Sequence, residues 1–163
     1  AVAAPRRQEG AEHAALGGEV RTRADEYHTR SEGPGWRPFQ ISRENNATAM
    51  LAACYRAADI FLVSPLQDGM NLVAKEFVAC QRGGLGILVL SRFAGAAEEM
   101  DGAILVNPYD ATAMAGAFHH ALAMPPAERE WRLARMREQL RQHTIYDWMN
   151  AILQDVSRLR RLA

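Results

Sequence analysis

Three short apolar segments, separated by helix-like stretches, constrain the fold of this chain more than any other feature. They are Ile60–Val63, Ile87–Leu90 and Ala103–Val106. Each is continuously apolar rather than alternating, which is typical of parallel strands that are covered on both faces. Because a helical pattern follows each of them, the order predicts βα units with right-handed crossovers. The predicted fold class is therefore α/β, a parallel sheet flanked by helices.

The rest of the chain is mostly helical in pattern. We expect helices over Glu9–Arg30, Ala47–Ala57, Asn71–Gln81, Ala111–Met124, Ala127–Gln142 and Ile145–Arg161. Two further short strands are expected, over Ala1–Ala4 and Arg37–Ile41. Trp131 and Trp148 are expected to anchor the last two helices. The stretch 128–142 alternates Arg with Glu and with apolar residues at helical spacing, which favours a solvated helix face over RNA binding.

Charge, hydropathy and cysteine content exclude several classes of protein. The 163 residues carry 19 Lys and Arg against 19 Asp and Glu, so net charge favours neither nucleic acid nor an anionic membrane. No apolar stretch approaches the roughly 20 residues of a membrane-spanning helix, and we expect no signal peptide in residues 1–7, which have no apolar core with a cleavage site. Two cysteines make no disulfide framework, and the five histidines and scattered acids show no metal-ligand spacing. We therefore expect a cytoplasmic protein with no metal, no other cofactor, and no nucleic-acid or membrane partner.

Two loops follow strands at what should be the same edge of the sheet. Ser64–Gly69 follows the first strand and Ser91–Gly95 follows the second, and parallel sheets bind ligands at this edge. Gly69 is expected to take a positive φ angle, and the amides of residues 69–72 to be unpaired donors at a helix N-terminus. Such donors suit anions or sugar hydroxyls. The small residues of Ser91–Gly95 equally suit close helix–strand packing.

Two acids, Asp68 and Glu76, flank this helix start. An ionised Asp68 suits two adjacent hydroxyl groups of a sugar, and Glu76 suits a ribose diol. Each acid also has a structural explanation, Asp68 as a helix cap and Glu76 as a solvated helix residue. Spacing alone leaves both explanations open.

The stretch from Tyr55 to Gln81 reads YRAADIFLVSPLQDGMNLVAKEFVACQ. With ILVLSRFAGAAEEMDGAILVNPYDATAMAGAFHHALAMPPAER over Ile87–Arg129, it closely resembles the trehalose-6-phosphate synthase family of retaining glycosyltransferases. Weaker similarity in PGWRPF and HTIYDWMNAIL extends the resemblance over nearly the whole chain. The resemblance implies two Rossmann-like domains in the GT-B arrangement. This chain, 1–163, would be the C-terminal donor-binding domain, with a C-terminal helix over 144–163.

The resemblance also implies an activity and a set of site residues. The family transfers glucose from UDP-glucose to glucose 6-phosphate, giving trehalose 6-phosphate without a metal. The donor-binding residues implied here are Asp68, Gly69, Met70, Asn71, Leu72, Val73 and Glu76. Asp68 would bind the donor glucose and is the candidate catalytic residue. The amides of residues 69–71 would reach the glucose hydroxyls, residues 72 and 73 would lie beside the uridine diphosphate, and Glu76 would hold the ribose hydroxyls.

The chain departs from the family pattern in two respects. It lacks the basic RLDYSKG-like segment that binds the donor phosphates, together with the N-terminal acceptor domain. Thr48 stands where the family has a phosphate-binding Arg, with Arg43 nearby but out of register. We therefore expect the isolated chain to be a poor or inactive catalyst.

Two alternatives follow from these departures. One is a truncated or pseudo-enzyme domain that binds nucleotide sugar without activity of its own. The other is a related synthase with another phosphorylated acceptor, such as glycerol 3-phosphate. The expected partners are a nucleotide-sugar donor, a phosphorylated sugar acceptor, and either the missing N-terminal half or a full-length synthase.

Overall fold

The chain divides into two compact units, residues 1–48 and 49–163. The computed structural model describes residues 15–30, 39, 41 and 47–160, and the backbone of residues 11–14. The predicted strand Ala1–Ala4 lies outside the described residues. Of the predicted strand Arg37–Ile41, only residues 39 and 41 are described, and neither belongs to a strand. The domain bounds given above stay a prediction.

The first unit contains helix α1, Ala11–Arg30. Its composition, rich in Ala, Glu and Arg, favours a helix strongly enough to run through Gly17 and Gly18. Each glycine costs about 1 kcal/mol relative to alanine in a helix interior. Near the end of α1 the Tyr27 ring packs against Phe39, with 5.6 Å between the ring centroids.

A three-stranded parallel sheet forms the centre of the second unit. The strands are β1 (Ile60–Val63), β2 (Ile87–Ser91) and β3 (Ile104–Val106), in the order β1-β2-β3. Ile60 pairs with Ile87, and Val89 pairs with Ile104. All five residues of the central strand β2 are buried; the first four are the predicted apolar segment Ile87–Leu90, and the strand continues one residue further to the polar Ser91. The α/β fold class is confirmed.

Helices cover both faces of this sheet. They are α2 (Thr48–Ala57), α3 (Leu72–Cys80), α4 (Ala111–Ala123) and α5 (Pro126–Gln142), and a further helix, α6 (Ile145–Leu159), follows them in the chain. Leu88 and Leu90 point into a core shared with α2, α3 and α5, whereas Ile87 and Val89 face α4. Successive side chains of β2 therefore alternate between two helix layers, and the loops at the strand ends stay accessible.

The tryptophans of the last two helices do not anchor them, contrary to the prediction. Trp131 is 57% exposed and Trp148 is 53% exposed. On α5 the core contacts are made by Leu133 and Met136, and Leu133 lies about 200° around the helix from Trp131. Helix α6 has no buried residue. Within the described part of the chain, no helix is long and apolar enough to cross a membrane.

Candidate functional site

The two predicted ligand loops lie side by side at the carboxyl edge of the sheet. Asp68 and Ala94 form a parallel bridge beyond the ends of β1 and β2. The Asp68 amide donates to the Phe93 carbonyl at 3.1 Å, and the Gly95 amide donates to the Asp68 carbonyl at 2.9 Å. A further bond runs from the Ala96 amide to the Met70 carbonyl at 2.6 Å. The pairing of the two strands thus continues into the loops and holds them together.

Gly95 permits the closest approach between these loops. A Cβ atom at this position would lie 2.3 Å from the carbonyl oxygen of Gly69, a distance that no real Cβ contact shows. The fold therefore requires glycine here, through loop–loop rather than helix–strand packing. A ligand role for Ser91–Gly95 stays a prediction.

The positive φ angle predicted at Gly69 occurs at Asn71 instead. Asn71 has φ 76°, whereas Gly69 is not among the described residues with positive φ. Asparagine tolerates this left-handed conformation because its short polar side chain bonds locally. A Cβ atom at Gly69 would meet nothing within 4 Å, so neither backbone angle nor crowding requires glycine at this position.

Asn71 is also the N-cap of α3. Its Oδ1 accepts from the Ala74 amide at 2.9 Å, and its Nδ2 donates to Oδ2 of Asp68 at 2.9 Å. The preference of asparagine for N-cap positions is a signal that the sequence already contains. The alternative that Asp68 caps this helix is therefore wrong.

Asp68 instead holds the turn before the helix. Its Oδ1 accepts from the Met70 amide at 3.0 Å, so the prediction that this amide is unpaired is also wrong. The amides of Leu72 and Val73 belong to the first two residues of α3 and have no acceptor inside the helix. The expected row of ligand donors thus loses the Met70 amide, and it continues into the first turn of the helix.

Glu76 is exposed, but it is not a purely solvated residue. The buried Tyr55 donates its hydroxyl to Oε2 of Glu76 at 3.4 Å. The Tyr55 ring packs edge-on against Phe61, with 5.1 Å between centroids, and against Phe77 at 6.5 Å. Burial, followed by the negative charge of Glu76, raises the pKa of Tyr55 above its ordinary value, so its proton stays available to the carboxylate. No local sequence pattern indicates this contact, because residues 55 and 76 are 21 positions apart in the chain.

An ion pair between Lys75 and Glu99 also fixes the position of α3. Lys75 Nζ contacts Oε2 of Glu99 at 2.6 Å, and its side chain is only 19% exposed. Glu99 directly follows a short 3-10 helix, Gly95–Glu98, which begins at the second loop. Lys75 therefore links α3 to this loop, and it points away from Glu76 toward a different partner.

Exposed apolar side chains surround the paired loops. Met70, Leu72 and Val73 line the start of α3, and Phe93 follows β2. The Phe93 ring contacts Tyr109, which follows β3, with 5.9 Å between centroids. The edge of the sheet thus offers polar groups and apolar surface together, as ligand sites in α/β proteins do.

Two further expectations concern phosphate and metal binding. Thr48, at the family's Arg position, is the first residue of α2 and is exposed, while Arg43 lies outside the described residues. Cys54 and Cys80 are free thiols, each half-buried. Across the described ranges, no three or more His, Cys, Asp or Glu side chains cluster as metal ligands would. The expectation of a metal-free protein stays a prediction.

Known proteins share both the sequence and the fold of this chain. The trehalose-6-phosphate synthase of Citrobacter koseri is 46% identical over 123 residues, covering 75% of this chain and 26% of that protein. The UDP-forming α,α-trehalose-phosphate synthase of Burkholderia xenovorans, solved with glucose-6-phosphate, is 38% identical with a TM-score of 0.87. The match covers 96% of this chain and 34% of that one.

A third match is a structure of a trehalose-6-phosphate synthase. That enzyme transfers a glycosyl group with retention and was studied with bisubstrate glycomimetics. It is 35% identical with a TM-score of 0.87, covering 96% of this chain and 36% of that one. The chain spans only about a quarter of the length of the Citrobacter koseri relative, 26%. The model of glycosyltransferase family 20 matches residues 1–158. This chain therefore belongs to glycosyltransferase family 20.

Proposed function

We propose that this chain is the donor-binding part of a retaining glucosyltransferase that transfers glucose from UDP-glucose to glucose 6-phosphate, giving trehalose 6-phosphate. The names of its relatives support this reaction. The Burkholderia xenovorans relative is UDP-forming and was solved with glucose-6-phosphate, which favours this acceptor over glycerol 3-phosphate. This chain spans only 26% of the Citrobacter koseri relative. The reaction is therefore proposed for a whole synthase of which these 163 residues are a part.

The order of groups at the start of α3 carries the proposal. Asp68 lies in the turn, the Leu72 and Val73 amides open the helix, and Glu76 lies one turn further along. This order matches the order of glucose, diphosphate and ribose in a nucleotide sugar. Residues 72 and 76 are separated by about 6 Å along the helix axis, which suits successive groups of one extended ligand.

Each group would make a distinct contribution to donor binding and transfer. Asp68 and the Gly69 amide would orient the glucose through its hydroxyl groups. The positive end of the α3 dipole and the free amides of Leu72 and Val73 would stabilise the departing diphosphate. An interaction aimed at charge that develops on the leaving group lowers the barrier. Glu76 would hold the ribose hydroxyls, and exposed apolar side chains such as Phe93 would flank the base.

The proposal includes no metal, because the amides at the start of α3 would offset part of the charge of the diphosphate. It also includes a cytoplasmic location, which is supported by the two free cysteines. The proposed protein partner is the N-terminal half of a synthase or a full-length synthase. We expect the presence of EDTA to leave UDP-glucose binding unchanged.

Calorimetric titration of the chain with UDP-glucose tests the proposal. Asp68→Asn and Glu76→Gln remove a carboxylate while keeping its shape, and each should cost about 1–3 kcal/mol of binding free energy. Glu98→Gln is the matched control, since Glu98 is an exposed acid on the neighbouring 3-10 helix. No binding by a folded wild-type chain, or equal binding by all three variants, would contradict the proposal.

A further inference from the structure

A cavity of about 510 Å³ lies where α3 ends and the second half of α5 passes by. Its lining residues are Ala79, Arg82, Gly83, Arg137, Leu140 and Arg141. Three of these six are arginines, and none is acidic. A volume of this size is within the range that small-molecule sites occupy.

This cavity is remote from the candidate donor site. Helix α3 begins at the carboxyl edge of the sheet and ends at Cys80, so its nine residues separate the two places by roughly 13 Å. Arg82 and Gly83 belong to the connection that leads into the start of β2 at Ile87. The cavity therefore lies toward the opposite edge of the sheet.

The sequence pattern predicts a solvated face for all the arginines of α5, but Arg137 differs from the others. The other four arginines of the helix donate hydrogen bonds: Arg129 to the Met124 and Ala121 carbonyls, Arg132 to Glu128 and the Gly102 carbonyl, Arg135 to Asp101, and Arg141 to Glu138. Nε and Nη2 of Arg137 are buried and have no hydrogen-bond partner among the described residues. Buried donors without an acceptor are unfavourable, and a native protein retains few of them.

The two unpaired atoms of Arg137 also have the geometry of a ligand site. Nε–H and Nη2–H lie on one edge of the planar guanidinium and point the same way. This edge binds the two oxygens of a carboxylate or phosphate group in bidentate fashion. A small turn of the side chain into the cavity would exchange two unpaired donors for two charge-assisted bonds.

The outer arginines complete the site. Arg82 and Arg141 are exposed at the rim of the cavity. The contact of Arg141 with Glu138 is long, 3.4 Å, and both side chains are more than half exposed, so it holds Arg141 only weakly. We propose that Arg82, Arg137 and Arg141 bind a small oxyanion, the phosphate or carboxylate group of a metabolite, at a site separate from the donor site.

Binding of inorganic phosphate and of succinate to the purified 163-residue chain tests this inference. Each probe is compared with chloride at the same ionic strength by its effect on the melting temperature. We expect phosphate, succinate or both to raise the melting temperature and chloride to leave it unchanged. A rise with phosphate alone indicates a phosphate ligand, and a rise with succinate alone indicates a carboxylate ligand. Arg137→Met should weaken the binding at least tenfold, and Arg137→Lys should weaken it nearly as much, because lysine lacks the bidentate edge.

Two controls separate this site from other basic surface and from the donor site. Arg158→Met removes one exposed positive charge on α6 and should leave the binding unchanged. Glu76→Gln alters the proposed donor site and should also leave it unchanged, so this inference and the proposed function fail independently. If Arg137→Met does not fold, the exposed Arg82→Met and Arg141→Met carry the test, each with a loss of about threefold or more. No binding of either probe by wild type, or binding that these variants retain, would overturn the inference.

Discussion

Replacing Gly95 by alanine tests whether the two loops depend on their close approach. The new Cβ would lie 2.3 Å from the Gly69 carbonyl oxygen, 2.8 Å from its carbon and 3.2 Å from the Met70 amide nitrogen. All three atoms are backbone, so no side chain can rotate away to make room. The loops would have to separate by about 1 Å, since non-bonded atoms prefer 3.5–4.0 Å.

The cost can be estimated from the contacts that this separation disturbs. Overpacking costs about 1–3 kcal/mol. Two hydrogen bonds, from the Gly95 amide to Asp68 and from the Ala96 amide to Met70, would also weaken. At about 0.5–1.5 kcal/mol each, they bring the expected loss to roughly 2–6 kcal/mol in the free energy of unfolding.

Urea denaturation measures this loss, with Gly116→Ala as the matched control. Gly116 lies on the exposed side of α4, and a Cβ there would meet nothing within 4 Å. The control should be neutral or stabilise the protein by up to about 1 kcal/mol, because alanine favours a helix. A Gly95→Ala variant within about 0.5 kcal/mol of wild type would refute the reasoning, since that is the range of ordinary surface substitutions.

Three further predictions concern the donor site and helix α6. Gly69→Ala should keep the stability of wild type within about 0.5 kcal/mol, since no atom crowds the new Cβ. Calorimetry should nevertheless show weaker UDP-glucose binding, and unchanged affinity would mean that no ligand approaches this backbone. Tyr55→Phe keeps the ring packing and removes the hydroxyl that contacts Glu76, so affinity should fall about fivefold, for about 1 kcal/mol. In the Glu76→Gln background the same change should have little further effect, and full additivity would contradict the coupling. The Thr144 hydroxyl and amide lower the pKa of Asp147 below its usual 3.8, so this carboxylate stabilises α6 above that pH and stops doing so as the pH falls through the lowered value. Circular dichroism should therefore show wild-type helicity falling toward that of Asp147→Asn in acid, and a constant difference between the two would count against the assignment.

The strands and the edge at which the two loops meet were predictable because their signals are local. Continuously apolar segments such as Ile87–Leu90 predict buried parallel strands, and the carboxyl ends of such strands predict where a ligand binds. Asp68 lies at this edge as expected, and Glu76 lies in the middle of the helix that begins there, although their roles stay proposals. Asn71 was identified as a ligand residue, whereas its capping function follows from a local preference of asparagine.

The remaining features depend on contacts between distant segments. The positive φ falls on Asn71, in a loop that pairs with residues 93–96, and no local sequence pattern shows this pairing. Tyr55 reaches Glu76 across 21 positions of the chain. Arg137 fits a solvated helix pattern in the sequence, yet the structure buries its guanidinium edge. Trp131 misleads in the opposite sense, because a large apolar residue favours burial only when another element covers it.

Amide chemical shifts of the isotopically labelled chain, followed during titration with UDP-glucose, test most directly whether the start of α3 binds the donor. At 18.1 kDa the chain is small enough for each amide to be resolved. We expect the largest changes at residues 69–73, at Glu76 and in the paired loop Ser91–Gly95, with little change around Arg137. No change at residues 69–76, in a chain whose spectrum shows it to be folded, would contradict the proposed donor site.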